Sequence, residues 1–158
     1  PVTRTLSAYL NKIAPRLPVK APGDGDHFDH CTRRIEAFRK RQLDRQAHPA
    51  VSFPVFVQWL SRAQGRPTGD PHWAPQSDLL RIGAIRYDYI GRFEALETDA
   101  RIILDAMGCA QPFPSQAEIR FKPTHAAQRV AEHCDTATRA LLNETFAADF
   151  DAFGYTRS

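Results

Sequence analysis

Hydrophobic residues recur at helical spacing through the first third of the chain. The positions of residues such as Leu6 and Tyr9 predict an amphipathic helix over residues 1–14. A second amphipathic helix is predicted over residues 28–46. A third is predicted to begin after Ser52, whose hydroxyl suits the N-cap position. This part of the chain is therefore expected to be helical.

The second half of the chain holds the best candidate for a β-strand. The segment Ile85–Glu94 is rich in isoleucine, tyrosine and phenylalanine, which favour strands. A helical pattern replaces it over residues 95–107, and Gly108 provides a stop. Because a lone strand leaves its backbone groups unpaired, one strand among helices is unusual for a complete domain.

Helical spacing returns at the end of the chain. Two helices are predicted, at about residues 125–133 and 136–148, with Thr124 and Asp135 as their N-caps. They follow a proline-containing loop over residues 109–123. The predicted elements are thus mostly helical, with one convincing strand.

The composition is that of a folded domain. The 158 residues and 17.8 kDa suit a single domain, and 42% hydrophobic with 25% charged residues suits a soluble core. The apolar runs are too short for a transmembrane helix, and the N-terminus lacks a signal-peptide pattern. The three cysteines, Cys31, Cys109 and Cys134, are odd in number and far apart, so no disulfide framework is expected.

The basic charge is concentrated at the start of the chain. Residues 1–50 carry ten Lys or Arg and five Asp or Glu, whereas the remainder is slightly acidic. This asymmetry indicates either an anionic partner or a solvated basic helix face. A polyanion-binding helical module, with helix 28–46 on nucleic acid or a sulfated glycan, is the alternative function. Its arginines lack interleaved aromatic residues and a known nucleic-acid motif, so no nucleic-acid partner is expected.

A cluster of acidic residues and histidines precedes the second helix. Its spacing lacks the glycine and the closing glutamate of an EF-hand loop, and the cysteines show no C-x-x-C spacing for zinc. Acidic side chains at a helix N-terminus are the better explanation, and no metal is expected. The cluster comprises Asp24, Asp26, His27, Asp29 and His30.

Arg4 and Ser7 are the first candidates for an anion site. Residues three apart share a helix face, so a guanidinium and a hydroxyl can converge on one anion. They belong to a longer pattern, P-x-x-R-x-x-S-A-Y-x-x-K, from Pro1 to Lys12. This pattern resembles the 3′-phosphate-binding motif of sulfotransferases that use 3′-phosphoadenylyl sulfate (PAPS), above all the carbohydrate branch with the chondroitin and HNK-type enzymes. The family motif begins with an arginine two positions before Pro1.

Three later segments resemble the same family, in the same order. Residues 70–73, Asp-Pro-His-Trp, resemble its acidic-x-His-Trp loop. Residues 87–99 resemble its Y-D-x-x-G-x-x-E-x-L-x-x-D segment, and residues 149–155 resemble its D-F-x-x-F-x-Y terminus. Residues 14–50 and 109–134 match poorly.

Two departures qualify the resemblance. Leu80 and Gly83 stand where chondroitin-type relatives carry a cysteine pair, which fits a protein outside the secretory pathway, and we expect a cytoplasmic, bacterial one. The family's basic phosphosulfate-binding loop has no counterpart in the sequence. We therefore expect residues 1–158 to be a partial, inactive sulfotransferase domain that starts inside the 3′-phosphate motif. The fold class expected is α/β, the C-terminal part of a P-loop-NTPase-like sulfotransferase fold, mostly helical with one or two strands.

The resemblance implies an enzyme that transfers a sulfuryl group from PAPS to a hydroxyl of a carbohydrate acceptor, without a metal. It implies that Ser7 binds the 3′-phosphate of PAPS. Arg4 either reaches that phosphate or braces the fold through a carboxylate. His72 is the candidate catalytic base, since imidazole titrates near neutral pH. The alternative interpretation is that His72 packs its loop onto the core. Glu94 is a weaker candidate, for which an ion pair is the better explanation.

Overall fold

The computed structural model describes residues 1–18, 26–62, 70–114 and 124–157, and most of these residues are helical. None of the helices in these ranges is long and apolar enough to cross a membrane. The α-helices are α1 (Val2–Ala8), α2 (His27–Gln42), α3 (Phe53–Arg62), α4 (Gln76–Leu79), α5 (Leu96–Ala106), α6 (Ala126–His133), α7 (Thr136–Thr145) and α8 (Ala147–Phe153).

The predicted helices are confirmed, with changes at their ends. Helix α1 runs directly into a π-helical turn, Tyr9–Ile13, and a 3₁₀ turn, Ala14–Arg16. Asp135 caps α7 as predicted, because its side chain accepts a hydrogen bond from the Thr138 backbone N–H. The prediction of Thr124 as the cap of α6 was wrong, since the N-cap residue is His125 and makes no side-chain cap.

The described residues divide into two compact units. The first combines Pro1–Ile82 with Thr124–Ser158, and the second is Gly83–Pro123. In the first unit, α3 is the central helix of the core. Its sequence FPVFVQWLSR is apolar on nearly every side, and Phe53, Phe56 and Leu60 are almost fully buried. Helices α2 and α7 pack on α3, while α1 packs on α6, so most helices of this unit enclose one core.

The expected strand at Ile85–Glu94 was wrong. Within the described ranges, β-type residues occur only as isolated bridge positions at Ile82 and Ile85, and residues 93–95 form a 3₁₀ turn. The β-favouring side chains of this segment are exposed, including Tyr89 at 42%. The expectation of a mostly helical structure is confirmed for the described residues, whereas the expected strand is absent from them and the P-loop-NTPase-like fold stays a prediction.

An aspartate in the second unit holds this segment as a loop. The Asp99 carboxylate, in the first turn of α5, accepts a hydrogen bond from the Tyr89 hydroxyl at 2.8 Å and another from the Arg92 backbone N–H. Gly91 lies so close that an added Cβ would stand 3.0 Å from the Asp99 Cβ. Gly91 and Asp99 of this segment, together with Tyr89, thus close a loop onto the start of α5.

Asp149 in α8 fixes the start of α4. Its carboxylate accepts hydrogen bonds from the backbone N–H groups of Gln76 and Ser77, both at 2.8 Å, and from the Ser77 hydroxyl at 2.7 Å. The first N–H groups of a helix have no partner within the helix, and here a carboxylate 2% exposed supplies one. Asp149 thereby determines the position of the preceding loop, residues 70–75.

The Asp149 contacts predict a stability loss on substitution. We expect Asp149→Asn to lower the free energy of unfolding by about 2 kcal/mol, because a hydrogen bond to a charged group contributes roughly 1.5–3 kcal/mol. Urea denaturation measures the change. Asp151→Asn is the matched control on the same helix, since its side chain is 72% exposed. Equal losses in the two variants would contradict the assigned role.

The α7 cap predicts a pH-dependent contribution. Hydrogen bonds from the Thr138 backbone and side chain hold the pKa of Asp135 below its usual value. A lowered pKa in the folded state gives stability above the ordinary pKa of about 3.9, which is lost as the pH falls toward the folded value. We expect Asp135→Ala to cost about 1 kcal/mol at pH 7. In urea titrations the difference from the parent chain should shrink below about pH 4, and a constant difference would refute the pH dependence.

Candidate functional site

Arg4 joins α1 to the loop of residues 70–75. Its Nη1 donates to the carbonyl oxygen of Ala74 at 2.8 Å, and its Nη2 donates to that of Pro71 at 2.7 Å. The Gln76 side-chain amide, oriented with its oxygen toward the guanidinium, accepts from Nη2 at 2.8 Å and from Nε at 3.1 Å. The guanidinium is thus engaged by the loop that carries His72.

Burial and a nearby carboxylate both affect the pKa of Arg4. Desolvation lowers the pKa of Arg4, and the nearby Asp149 carboxylate acts in the opposite direction. The two charged groups approach the loop from different helices, Arg4 from α1 and Asp149 from α8. In this structure the hydrogen bonds of Arg4 brace the loop through carbonyl oxygens, not through the carboxylate named in the sequence alternative.

Ser7 lies one turn further along α1 and faces a different segment. Its hydroxyl oxygen is 2.9 Å from that of Thr124, and either group can be the donor. Thr124 precedes α6, which packs on α1. A serine hydroxyl has one donor hydrogen and two acceptor sites. If Thr124 donates to Ser7, the Ser7 hydrogen remains available for a phosphate oxygen.

His72 is held by an aspartate of its own loop. The Asp70 Oδ1 atom lies 2.7 Å from the His72 ring Nδ1 and accepts the His72 backbone N–H at 2.9 Å. The His72 side chain is 40% exposed and packs edge-on against the Phe28 ring, with the ring centroids 5.0 Å apart. With Nδ1 toward Asp70, the other ring nitrogen, Nε2, is the one left to exchange a proton with a substrate.

Asp70 links His72 to the start of α2. Its second oxygen, Oδ2, lies 2.6 Å from the Nε2 of His27. Burial raises the pKa of the Asp70 carboxyl, but hydrogen bonds from the His72 backbone and from the rings of His27 and His72 outweigh it, so the pKa is lowered overall. An ionised, nearly buried carboxylate between two imidazoles orients both rings.

Trp73 anchors this loop in the core. It is fully buried, with its ring 5.6 Å from that of Phe56 and 6.3 Å from that of Trp59. The sequence offered packing of the loop onto the core as the alternative role of His72. In the structure Trp73 provides most of that packing. His72 itself stays at the surface and keeps access to solvent.

The acidic cluster before α2 divides between two tasks. Asp26 and Asp29 form a reciprocal capping box, and Arg16 binds the Asp26 carboxylate, whose pKa is lowered to about 2. This confirms the interpretation of acidic residues at a helix N-terminus. Asp24 lies outside the described residues. His27 instead turns toward Asp70 and Cys31, a grouping that the sequence reasoning missed although i and i+4 spacing on one helix was visible.

Some of the basic residues of α2 form ion pairs and hydrogen bonds within the chain. Arg39 is 7% exposed, binds both oxygens of Glu36 at 2.7 Å and donates to the His48 carbonyl oxygen. Lys40 pairs with the same carboxylate at 3.2 Å. Two of the cations that suggested a polyanion-binding face therefore neutralise Glu36, and these contacts do not support that alternative.

The predicted site residues fall into two groups. Arg4 and His72 are brought together through the loop backbone, whereas Ser7 faces Thr124. Glu94 lies in the second unit and is exposed. The arrangement can hold an anion at a hydroxyl on α1 and can exchange a proton at an oriented imidazole on the loop.

Comparisons with known proteins agree with the family resemblance that the sequence indicates. The model of the family described as "Sulfotransferase family" matches residues 1–156. Carbohydrate sulfotransferase 14 of Homo sapiens is 30% identical over 168 residues, which cover 98% of this chain and 40% of that protein. Carbohydrate sulfotransferase 8 of Homo sapiens is 38% identical over 181 residues, covering 99% and 41%.

The chain therefore spans about two fifths of the length of these curated relatives. No solved structure matches it. The family assignment depends on the sequence match, which runs from the helix of Arg4 and Ser7 to the end of α8. The chain belongs to the sulfotransferase family.

Proposed function

We propose that this chain forms part of an enzyme that transfers a sulfuryl group from PAPS to a hydroxyl of a carbohydrate. Family membership supports sulfuryl transfer, and the relatives are named as carbohydrate sulfotransferases. In such a reaction an acceptor hydroxyl attacks in line while the nucleotide leaves, by analogy with phosphoryl transfer. The protein has to hold the donor, orient the acceptor and take up the acceptor's proton.

Ser7 is the residue we assign to the 3′-phosphate of PAPS. The observation that carries this assignment is its place in the P-x-x-R-x-x-S-A-Y-x-x-K motif, on a half-buried face of α1 with Thr124 2.9 Å away. When Thr124 is the donor, it restricts the Ser7 hydroxyl and leaves it a hydrogen to donate. Donation from a neutral hydroxyl to a phosphate oxygen is a charge-assisted hydrogen bond.

Arg4 contributes indirectly in this proposal. Its hydrogen bonds to Pro71 and Ala74 hold the loop against α1, and the same helix carries Ser7. The distance between α1 and the loop of residues 70–75 therefore depends on the Arg4 guanidinium. Arg4 is therefore a positioning residue, and its conservative substitute Lys cannot make the two separate donations from one planar group.

His72 is the group we assign to the acceptor proton. Asp70 orients the ring through Nδ1. The side chain is 40% exposed, and Nε2 is the ring nitrogen that Asp70 leaves for the substrate. This division of roles, with a carboxylate on one ring nitrogen and the substrate on the other, is typical of general-base histidines.

The sulfate end of the donor needs cationic groups that this sequence does not provide as a motif. No G-x-x-x-x-G-K pattern or basic phosphosulfate loop occurs in residues 1–158. We propose that the chain supplies the 3′-phosphate side of a donor site within a P-loop-NTPase-like sulfotransferase fold. We expect residues 1–158 alone to bind adenosine 3′,5′-bisphosphate without turning over PAPS.

Nucleotide binding tests the assignment of Ser7. Calorimetric titration of the 158-residue chain with adenosine 3′,5′-bisphosphate should give saturable binding. Ser7→Ala should weaken it about 10- to 100-fold, because a hydrogen bond to a charged group contributes roughly 1.5–3 kcal/mol. Thr3→Ala is the matched control, since Thr3 is an exposed hydroxyl on the same helix.

Three results would count against the proposal. Equal affinity in the Ser7→Ala and Thr3→Ala variants would remove Ser7 from the phosphate site. Equal binding of adenosine 5′-monophosphate would show that the chain does not recognise the 3′-phosphate. Measurable sulfate transfer by residues 1–158 would refute the expected inactivity of this chain.

A further inference from the structure

We propose that His27, Cys31 and Asp70 form a binding site for one Zn²⁺ ion. The cluster lies where the first turn of α2 meets the loop of residues 70–75. One ligand atom from each residue, the imidazole Nε2, the thiol Sγ and a carboxylate oxygen, lies within 4.8 Å of the other two. The proposal does not rest on the proposed sulfotransferase activity, although Asp70 also contacts His72.

The helix and the loop each contribute to the cluster. His27 and Cys31 are four residues apart on α2, so their side chains share one face, and Nε2 is 3.6 Å from Sγ. Tetrahedral Zn²⁺ has bonds of about 2.0 Å to nitrogen and 2.3 Å to sulfur, which separates such atoms by about 3.5 Å. The nitrogen and the sulfur are therefore already at the spacing that the ion requires.

Asp70 needs a small adjustment. Its Oδ2 is 2.6 Å from the His27 Nε2, a hydrogen-bond distance, and it would have to retreat by slightly under about 1 Å to share an ion. The other oxygen, Oδ1, is held by the ring and the backbone N–H of His72. The hydrogen bonds from His72 would thus fix the carboxylate while its other oxygen binds the metal. Outer hydrogen bonds of this kind orient metal ligands.

The ligand types and their burial favour Zn²⁺ over harder ions. A thiolate and an imidazole are ligands for zinc, whereas Mg²⁺ and Ca²⁺ prefer oxygen. Cys31 is 3% exposed and Asp70 is 6% exposed, while the His27 side chain is 63% exposed and gives the ion a way in. On binding, the Cys31 thiol releases its proton to solvent and the neutral His27 ring carries its hydrogen on Nδ1, so that Nε2 is free to bind and one thiolate and one carboxylate balance the charge of the ion.

With three protein ligands, a water molecule completes the tetrahedron. The ion would tie α2 to the loop that Arg4 and Asp149 hold from other sides. Because the ion binds the folded chain, we expect Zn²⁺ to stabilise the fold. His72 keeps its contact with Asp70 in this arrangement, because the ion and the ring use different carboxylate oxygens.

Cobalt is the probe that reports the thiolate directly. Co²⁺ titrated into the metal-free 158-residue chain should bind with a stoichiometry of one per chain. It should produce sulfur-to-cobalt charge-transfer absorption in the near ultraviolet and the visible bands of tetrahedral cobalt. Zn²⁺ should displace it and should raise the thermal unfolding midpoint of the chain.

Substitutions at the proposed ligands test which residues bind the metal. Cys31→Ser should abolish the charge-transfer absorption, whereas Cys134→Ser, the matched control at another buried thiol, should retain it. His27→Ala should weaken Co²⁺ binding by roughly tenfold or more, as loss of a ligand or of its support generally does. Circular dichroism melts establish that each variant is folded.

Two outcomes would overturn the proposal. One is Co²⁺ binding without charge-transfer absorption in the parent chain, or no binding at all. The other is a folded Cys31→Ser variant whose absorption matches that of Cys134→Ser. Either result would leave the cluster as a hydrogen-bonded network around Asp70.

Discussion

The loop of residues 70–75, with the first turn of α4, is held in place by three charged side chains. Arg4 donates to two of its carbonyl oxygens, Asp149 accepts from the two N–H groups that follow it, and Asp70 accepts from within it. Each charge is at least half-buried, so leaving any one of them without its partners would be costly. Trp73 fills the core below, and the loop can thus carry polar groups at the surface without losing its position.

This constraint gives the sulfotransferase motifs a physical meaning. The arginine of the first motif binds the loop of the second, and the aspartate that opens the last motif caps the helix after that loop. The segments therefore meet in the first unit as one hydrogen-bonded assembly. The Gly and the final Asp of the remaining motif, together with Tyr89, close a separate loop in the second unit.

The short α4 was not predicted, but most of the longer helices were predictable because they depend on local spacing and caps, as at α3 and Asp135. The strand at Ile85–Glu94 was not, since strand propensity says nothing about whether a partner pairs with it. Loop placement was also beyond sequence reasoning. Arg4 is separated from Pro71 by 67 residues and Ser7 from Thr124 by 117, and no local pattern encodes such contacts. The grouping of His27 with Cys31 had a local signal, but Asp70 joins it only through the fold.

The central claim is that α1 presents Ser7 to the 3′-phosphate while Arg4 stays with the loop. A crystal structure of the chain with adenosine 3′,5′-bisphosphate tests it most directly. The account predicts that the Ser7 hydroxyl donates to the 3′-phosphate and that the Arg4 guanidinium remains on the carbonyl oxygens of Pro71 and Ala74. A nucleotide bound away from Ser7, or an Arg4 that leaves the loop to bind the phosphate, would contradict it.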